Sequence, residues 1–257
     1  YRVFRGILAA RSPVFRDMFQ LPQPPDCPLF EGCPVVQIWD SPTELTALLR
    51  AIFEPEFFRF FMPYPVQTNF DTVCACLRLG HKYEIHYIRR RALGHLSRRA
   101  PTTLDGFDAM PTTPRSFEPL TTPQMVFLRQ VVQEVQAVWL LPYIFYGLCQ
   151  VFEGNLSAVV SHGAVSTDGT PISLSLHDQE LLLRGYFVLR ETTTSDVLRF
   201  LLFPPQIAGC VDEAGCLRDR VRIFNNLMQA PKAKKCGPTV GFLEDGTLGH
   251  FEDMSHL

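Results

Sequence analysis

The amino-terminal stretch constrains the fold of this chain most, because it carries two different apolar patterns in direct succession. Residues 1–8 follow a strand-like apolar pattern that runs into a short helical turn. Ser12 and Pro13 then stand where an N-cap and a first helical residue are expected. Residues 14–19 place their apolar side chains at helical spacing, on one side of a second helix. Neither element can bury its apolar side alone, so later parts of the chain must cover both.

A short strand and a helix are predicted next. Residues 35–39 are rich in β-branched and aromatic side chains, which favours a strand. Ser41 and Glu44 have the spacing of a capping box, with proline at the first helical position between them. The helix that follows carries one apolar stripe, formed by Leu45, Leu48, Leu49, Ile52 and Phe53.

Two further helices are predicted before residue 100. The first begins after Thr68 or Asn69 and runs to about Glu84. The second covers residues 87–99 and is expected to turn its apolar residues, namely Ile88, Ala92, Leu93 and Leu96, toward the core. Its arginines are expected on the solvated side, at positions Arg89, Arg90, Arg91, Arg98 and Arg99.

Residues 8–19 read LAARSPVFRDMF and resemble the BTB/POZ domain, in which a strand and a basic turn lead into a helix of this wording. Residues 78–96 are similar to the closing helix pair of BTB proteins that are abundant in mushroom-forming fungi. The resemblance covers about the first hundred residues. It implies that the opening helix and first strand of such a domain are missing from this chain, and that Phe4 stands where the family commonly has histidine.

The predicted fold class is therefore α+β: a BTB/POZ-like small sheet flanked by helices, followed by an all-α helical region. Residues 1–100 are assigned to the BTB/POZ domain and residues 101–123 to a linker rich in proline and threonine. Residues 124–230 are assigned to the helical region, in which Ser175 is expected to cap one helix and Ser195 to begin another. Residues 231–257 lack apolar periodicity and are expected to form a loose tail.

The overall composition gives no sign of nucleic acid or membrane as a partner. The formal net charge is −2 and neither half of the chain is strongly basic. The longest apolar runs are well short of a membrane span, and no secretory signal opens the chain. The eight cysteines are scattered, which favours free thiols in a reducing compartment. We therefore expect an intracellular protein, cytoplasmic or nuclear.

No sequence motif indicates catalysis, so we expect no enzyme and no cofactor. Ser161, His162, Ser166 and Asp168 lie close together in sequence, but these residue types often share a polar loop by chance. The expectation of no metal site is weighed against one alternative set of zinc ligands, namely Cys210, Cys216 and Cys236 with His250 or His256. Structural zinc sites usually present two cysteines from one tight knuckle, which this spacing does not provide, so free thiols are favoured.

Three other groups have ordinary structural interpretations. Cys74 and Cys76 would point about 200° apart on a helix and cannot share a metal from it, so they are expected to fill the core. His81 and His86 do not share one helical face either and are expected to be surface or helix-capping residues. The arginines at positions 89–91 and 98–99 are interpreted as a solvated helix face, because no aromatic residues are interleaved with them for base stacking.

An aromatic cluster after the helix of residues 42–53 allows two interpretations. Phe57, Phe58, Phe60 and Phe61 could pack as core under the closing helices, or they could form a protein-docking surface. The core is the favoured interpretation. The BTB/POZ resemblance implies that a cullin scaffold of ubiquitin ligases docks on this helix and on the loop after it.

The function expected from the sequence is that of a non-catalytic protein–protein interaction module. Its BTB/POZ domain would self-associate, as a homodimer in the full-length chain, or bind a scaffold. One alternative is a substrate adaptor of a cullin-based ubiquitin ligase, and another is a nuclear, transcription-linked factor. An enzyme of unknown type is the remaining class, and it would require an ordered polar pocket.

Overall fold

The protein combines many helices with two small antiparallel sheets, so the broad α+β class predicted from the sequence is confirmed. The computed structural model describes residues 1–22, 29–60, 67–109, 117–150, 153–166, 169–202 and 211–229. The chain forms two compact units, Tyr1–Tyr143 and Ile144–Leu257. Each unit is described by itself below.

The first unit contains a helical pair, a short hairpin, a three-helix core and a helix that packs on that core. Its described elements are α1 (Arg5–Arg11), α2 (Pro13–Gln20), β1 (Leu29–Phe30), β2 (Cys33–Pro34), α3 (Pro42–Phe53), α4 (Phe70–Lys82), α5 (His86–Ser97), α6 (Leu104–Asp108), α7 (Thr122–Glu134) and a 3₁₀ turn, Val138–Leu140.

Helix α4 is the centre of the first unit, because it packs against α3, α5 and α7. Asn69 caps its start by accepting a 2.7 Å hydrogen bond from the Thr72 backbone N–H, as one of the two sequence alternatives predicted. Most of its side chains are buried, including Val73, Cys76 and Leu77. A helix that is apolar on nearly every side requires neighbours all around it, and these three helices supply them.

The helical pair α1–α2 is attached to the end of α4 through Tyr83. The Ser12 hydroxyl caps α2 by accepting from the Phe15 N–H at 3.1 Å, as predicted, and it donates to the Tyr83 carbonyl at 2.6 Å. The Phe15 ring stacks on the Tyr83 ring with their centroids 4.4 Å apart. The Tyr83 hydroxyl donates to Asp40, which also pairs with Lys82 at 2.5 Å. Three separate segments of the chain therefore meet at one side chain.

The predicted capping box at the start of α3 does not form. The Ser41 side chain accepts no backbone hydrogen bond and instead contacts the Thr43 hydroxyl at 2.8 Å. Glu44 turns away to bind Arg78 of α4 at 2.6 Å, and the same arginine reaches Glu134 of α7 at 2.7 Å. The Glu44 carboxylate, which was predicted to cap α3, instead joins α3 to α4.

The strand predictions in the first unit are wrong in position. Residues 5–8 belong to α1, and residues 35–39 form no strand. The observed hairpin pairs Leu29 with Pro34 and Phe30 with Cys33. Its two-residue turn, Glu31 and Gly32, has positive φ at both positions, which matches the right-handed twist of a tight hairpin.

The first unit extends beyond residue 100, where the sequence analysis placed the end of the first domain. Phe117 is buried and meets Phe70 of α4 edge to face, with ring centroids 6.3 Å apart. Helix α7 packs on α4, although the predicted helical region began at residue 124. Part of the predicted linker therefore supplies core side chains instead of only crossing the surface.

The second unit begins within α8 (Leu141–Cys149) and continues through α9 (Glu153–His162), β3 (Ala164–Val165), β4 (Pro171–Ile172), α10 (Leu176–Leu202) and α11 (Glu213–Gln229). The expectation of an all-α region is wrong, because β3 and β4 form an antiparallel hairpin. Gly163 begins it with a positive φ, and a Cβ there would lie 2.1 Å from the Ile172 carbonyl oxygen, so only glycine fits.

Helix α10 is longer than the sequence predicted. Ser175 caps it by accepting from the Asp178 N–H at 3.1 Å, as expected. The helix then runs without a break through Ser195, which was predicted to begin a separate helix. The predicted tail, residues 231–257, lies outside the described residues.

The Tyr83 junction yields a test of stability. We expect Ser12→Ala to lower the free energy of unfolding by about 2–3 kcal/mol, because it removes a helix cap and leaves a buried carbonyl unpaired. Ser41→Ala is the matched control, since the same side chain at the start of α3 makes no cap, and should cost less than about 0.5 kcal/mol. Urea denaturation measures both. Equal losses for the two variants would contradict the role given to Ser12.

Candidate protein-interaction surface

The aromatic segment, residues 57–60, folds back from the end of α3 onto α5. Phe58 is 1% exposed, and its ring lies 5.0 Å from the His95 ring. Its backbone carbonyl accepts a 3.1 Å hydrogen bond from Arg91. Phe58 is therefore a core residue, which agrees with the interpretation favoured from the sequence for this position.

Phe60 packs on the same part of α5 and is half-buried. Its ring meets the His95 ring edge to face at 5.0 Å. Its closest approach is over Gly94, where an added Cβ would lie 2.8 Å from two ring atoms. A side chain at position 94 would displace the ring, so the absence of one lets the segment lie flat against the helix.

Phe57 occupies a different environment from Phe58. It is half-buried, and the Arg50 guanidinium lies 3.9 Å from its ring centroid. Arg50 is held in place by Glu54, at 2.8 Å, on the exposed side of α3. Phe57 is thus a surface ring under a cation, and Phe61 lies outside the described residues. Whether this segment docks a partner stays a prediction.

A larger set of exposed apolar side chains in the first unit lies elsewhere, on residues 1–7 and 29–39. We call this set the amino-terminal apolar face. Trp39 is 85% exposed and is its most exposed member. The other members are Tyr1, Val3, Phe4, Ile7, Leu29, Phe30, Val35 and Val36. Isolated exposed apolar residues are ordinary, but a set of large ones on adjoining segments is typical of a contact surface.

Polar contacts hold these segments next to each other. The Tyr1 hydroxyl donates to the Pro42 carbonyl at 2.7 Å, which fixes the chain start beside the beginning of α3. Arg2 pairs with Glu31 of the hairpin turn at 2.9 Å. These contacts place the amino-terminal residues beside both the hairpin turn and the start of α3, and the Arg2–Glu31 pair brings opposite charges together there.

A shallow groove of about 420 Å³ lies between this face and the carboxyl end of α3. Its walls are mostly apolar and include Phe4 and Ile7 on one side and Leu49 and Phe53 on the other. Arg50 and Glu54 contribute charged groups to the lining. Apolar walls with charged groups among them suit an apolar side chain from another protein better than a polar small molecule.

The residues considered for metal binding or catalysis are scattered within the part of the chain that the structure describes. Cys74 and Cys76 are buried in α4, and burial raises the pKa of both thiols, so they remain neutral fillers. His81 and His86 are exposed. Within the described ranges, no group of three or more His, Cys, Asp or Glu side chains is arranged to hold a metal ion.

Several of those candidate residues fall on parts of the chain without a described structure. Cys216 is half-buried on α11. Cys210, Cys236, His250 and His256 lie outside the described residues, so the zinc alternative is not decided by geometry. Asp168 also lies outside them, while Ser161 and His162 end helix α9.

The arginines of α5 are not the uniformly solvated face that the sequence predicted. Arg90 is exposed, but Arg99 is buried and lies 6.0 Å from the centroid of the Phe117 ring. Arg89 donates to the Val135 carbonyl at 3.1 Å, and Arg91 holds the Phe58 carbonyl. These cations join α5 to its neighbours, which leaves little of the run available to a phosphate backbone.

Sequence reasoning missed two features that the structure brings out. His95 is fully buried, because it follows Ile88 and Ala92 at helical spacing and thus lies on the apolar stripe. Trp39 was assigned to a strand and is instead the most exposed residue of the face. The signal for His95 was its spacing. No signal marked Trp39, since exposure depends on which segments lie beside it.

The search for known relatives found no matching family model, curated protein or solved structure. Among the described residues, no helix is long and apolar enough to cross a membrane. What is inferred about function therefore comes from the residues of the chain itself.

The two neighbouring phenylalanines give a direct test of the packing. We expect Phe58→Ala to lower the free energy of unfolding by about 3–5 kcal/mol, as for a large ring removed from a core. Phe57→Ala should cost about 1 kcal/mol or less, because its ring is at the surface. Urea titrations of both variants measure the difference. Similar losses at the two positions would show that the segment is not packed as described.

Proposed function

We propose that the protein is a non-catalytic protein–protein interaction module of the BTB/POZ type, whose first unit self-associates through the amino-terminal apolar face. The observation that carries this proposal is the exposure of that face, with Trp39 at 85%. Leaving so many large apolar side chains in water is unfavourable, at about 25 cal/mol for each Å² of apolar surface. A second protein surface would remove that cost.

The amino-acid sequence supports the BTB/POZ type of module. The resemblance to BTB/POZ domains was carried by residues 8–19, and these form the α1–α2 pair capped at Ser12. It was carried also by residues 78–96, which form the end of α4 and most of α5. Both segments meet at Tyr83, so the two parts of the resemblance lie in one packed structure.

A second copy of the chain is the occupant that the face suits best. Residues 35–39 have the composition of a strand but form none within the described part of the chain. Main-chain groups of such a segment can pair with a strand from another molecule. A patch shared by two copies meets itself across a two-fold axis, and an apolar patch with internally balanced charge is compatible with that.

Self-association should depend on a few large side chains of the face. We expect Leu29→Ser and Trp39→Ser each to weaken the dimer roughly 30-fold, since an anchoring residue is worth about 2 kcal/mol. Leu104→Ser is the matched control: Leu104 is 75% exposed and Leu29 is 65% exposed, but Leu104 lies on α6 and is not a member of the face. Sedimentation equilibrium of the 257-residue chain over a range of concentrations measures all three.

The outcomes separate three accounts. A concentration-dependent dimer that is lost in the two face variants and kept in Leu104→Ser supports the proposal. A monomer at all concentrations contradicts it. Open-ended aggregation that all three substitutions leave unchanged would show that association is non-specific and does not use this face.

The groove beside α3 favours a second candidate function, that of an adaptor for a cullin-based ubiquitin ligase. The BTB/POZ resemblance implies cullin docking on the helix before the aromatic segment, which is α3. Leu49 and Phe53 of α3 line the groove, and Phe4 stands opposite them. An apolar anchor from a cullin would fit between these side chains.

Binding of a purified cullin amino-terminal domain, measured by calorimetry, tests this candidate. Phe4→Ser should weaken binding by roughly 30-fold if the groove is the docking site. Leu29→Ser is the control, since it is exposed but does not line the groove. Absence of binding to the unaltered chain would rule out the adaptor role for that cullin and would leave the self-association proposal untouched.

A further inference from the structure

His95 is the one fully buried histidine among the described residues, and it lies at the contact between α5 and the aromatic segment. Its ring is enclosed by Phe58 and Phe60, each with its centroid 5.0 Å away. Neither ring nitrogen makes a hydrogen bond of good geometry with the described residues. An imidazole in such a place is tolerated when neutral and is strongly disfavoured as a cation.

The charged groups around His95 act in the same direction. Arg91 and Arg98, on its own helix, both disfavour a second positive charge there. From the aromatic segment, only the backbone of Arg59 favours the protonated ring, while the Arg59 side chain pairs with Glu56. Cys74 and Cys76 of α4, the helix that packs on α5, remain neutral thiols and provide no counter-charge.

The described contacts between the aromatic segment and α5 centre on His95. The two phenylalanine rings pack around His95, and Arg91 holds the Phe58 carbonyl. Phe57, at the start of the segment, lies under Arg50 of α3. The segment can therefore detach while α3, α4 and α5 keep the contacts that they make with one another.

We propose that His95 acts as an acid-sensitive latch, which holds residues 57–60 against α5 while its ring is neutral and releases them when the ring is protonated. Release would bring Phe58 and Phe60 to the surface, next to the half-buried Phe57. The inference does not depend on the proposed self-association, because it concerns a different surface.

The direction of the pH effect follows from the two states of the ring. Burial, followed by the neighbouring arginines, lowers the pKa of His95 from 6.5 to about 4 in the closed state. In the released state the ring is in water and has its ordinary pKa. The closed state is therefore fully favoured above pH 6.5 and loses its advantage as the pH falls toward 4. The opening constant should rise about 20-fold between pH 7 and pH 5.

Amide hydrogen exchange followed by mass spectrometry, corrected for intrinsic exchange rates, measures that opening. We expect residues 57–60 to lose protection about 20-fold from pH 7 to pH 5, while the amides of α4 lose much less. His95→Leu should remove this pH dependence. The control is His81→Gln, an exposed histidine on α4, which should retain it.

Two results would overturn the proposal. One is a segment whose protection is the same at pH 7 and pH 5, and the other is a parallel loss in α4, which would indicate global unfolding. If His95→Leu fails to fold, NMR titration of the unaltered chain decides instead. A His95 ring that titrates near its ordinary pKa would contradict the latch, and one that titrates well below it, with the signals of residues 57–60 changing over the same pH range, would support it.

Discussion

The contact at Tyr83 is the interaction on which the arrangement of the first unit depends. Its carbonyl receives the Ser12 hydroxyl, its ring stacks on Phe15, and its own hydroxyl reaches Asp40. The α1–α2 pair, the start of α3 and the end of α4 are thereby fixed relative to one another. Because the exposed segments 1–7 and 35–39 flank these points, the same junction determines where the amino-terminal apolar face lies.

Local signals in the sequence were sufficient at three helix starts, where one side chain caps the backbone three residues further on. The caps at Ser12, Asn69 and Ser175 depend on a hydroxyl or amide two or three residues from its partner, and all three are present. Leu45, Leu48 and Leu49 of the α3 stripe are also buried as their spacing predicted, while Ile52 and Phe53 of the same stripe are half-buried. These features need no knowledge of the remaining chain.

The features that were predicted wrongly depend on residues far away in the sequence, which compete with the local partners. Glu44 fits a capping box locally, but Arg78 offers it a charge-assisted hydrogen bond from another helix. Residues 35–39 have strand composition, but a strand needs a partner, and the hairpin uses residues 29–34 instead. Arg99 was expected in water with its neighbours, but Phe117, in the predicted linker, packs near it. None of these three choices of partner can be read from the spacing of a single segment.

The sequence offered the aromatic segment as the candidate interaction surface, whereas the exposed side chains of the structure favour the amino-terminal apolar face. The many aromatic residues at positions 57–60 made a docking surface one interpretation of that segment. Phe58 is buried, so this part of the cluster belongs to the core. Many exposed apolar side chains lie instead on residues 1–7 and 35–39, which the sequence treated as strand-like, and on the hairpin of residues 29–34. Both regions contain large apolar side chains that are not fully covered, although the regions lie at different positions. A change of environment would be needed to cover these side chains fully.

The central claim is that residues 35–39 gain a strand partner when two copies of the chain meet. Amide hydrogen exchange of these residues, measured at protein concentrations below and above the dissociation constant of the dimer, tests it most directly. The account predicts slower exchange at residues 35–39 at the higher concentration, with the amides of α6 unchanged. Equal exchange at both concentrations, in samples where sedimentation detects the dimer, would contradict it.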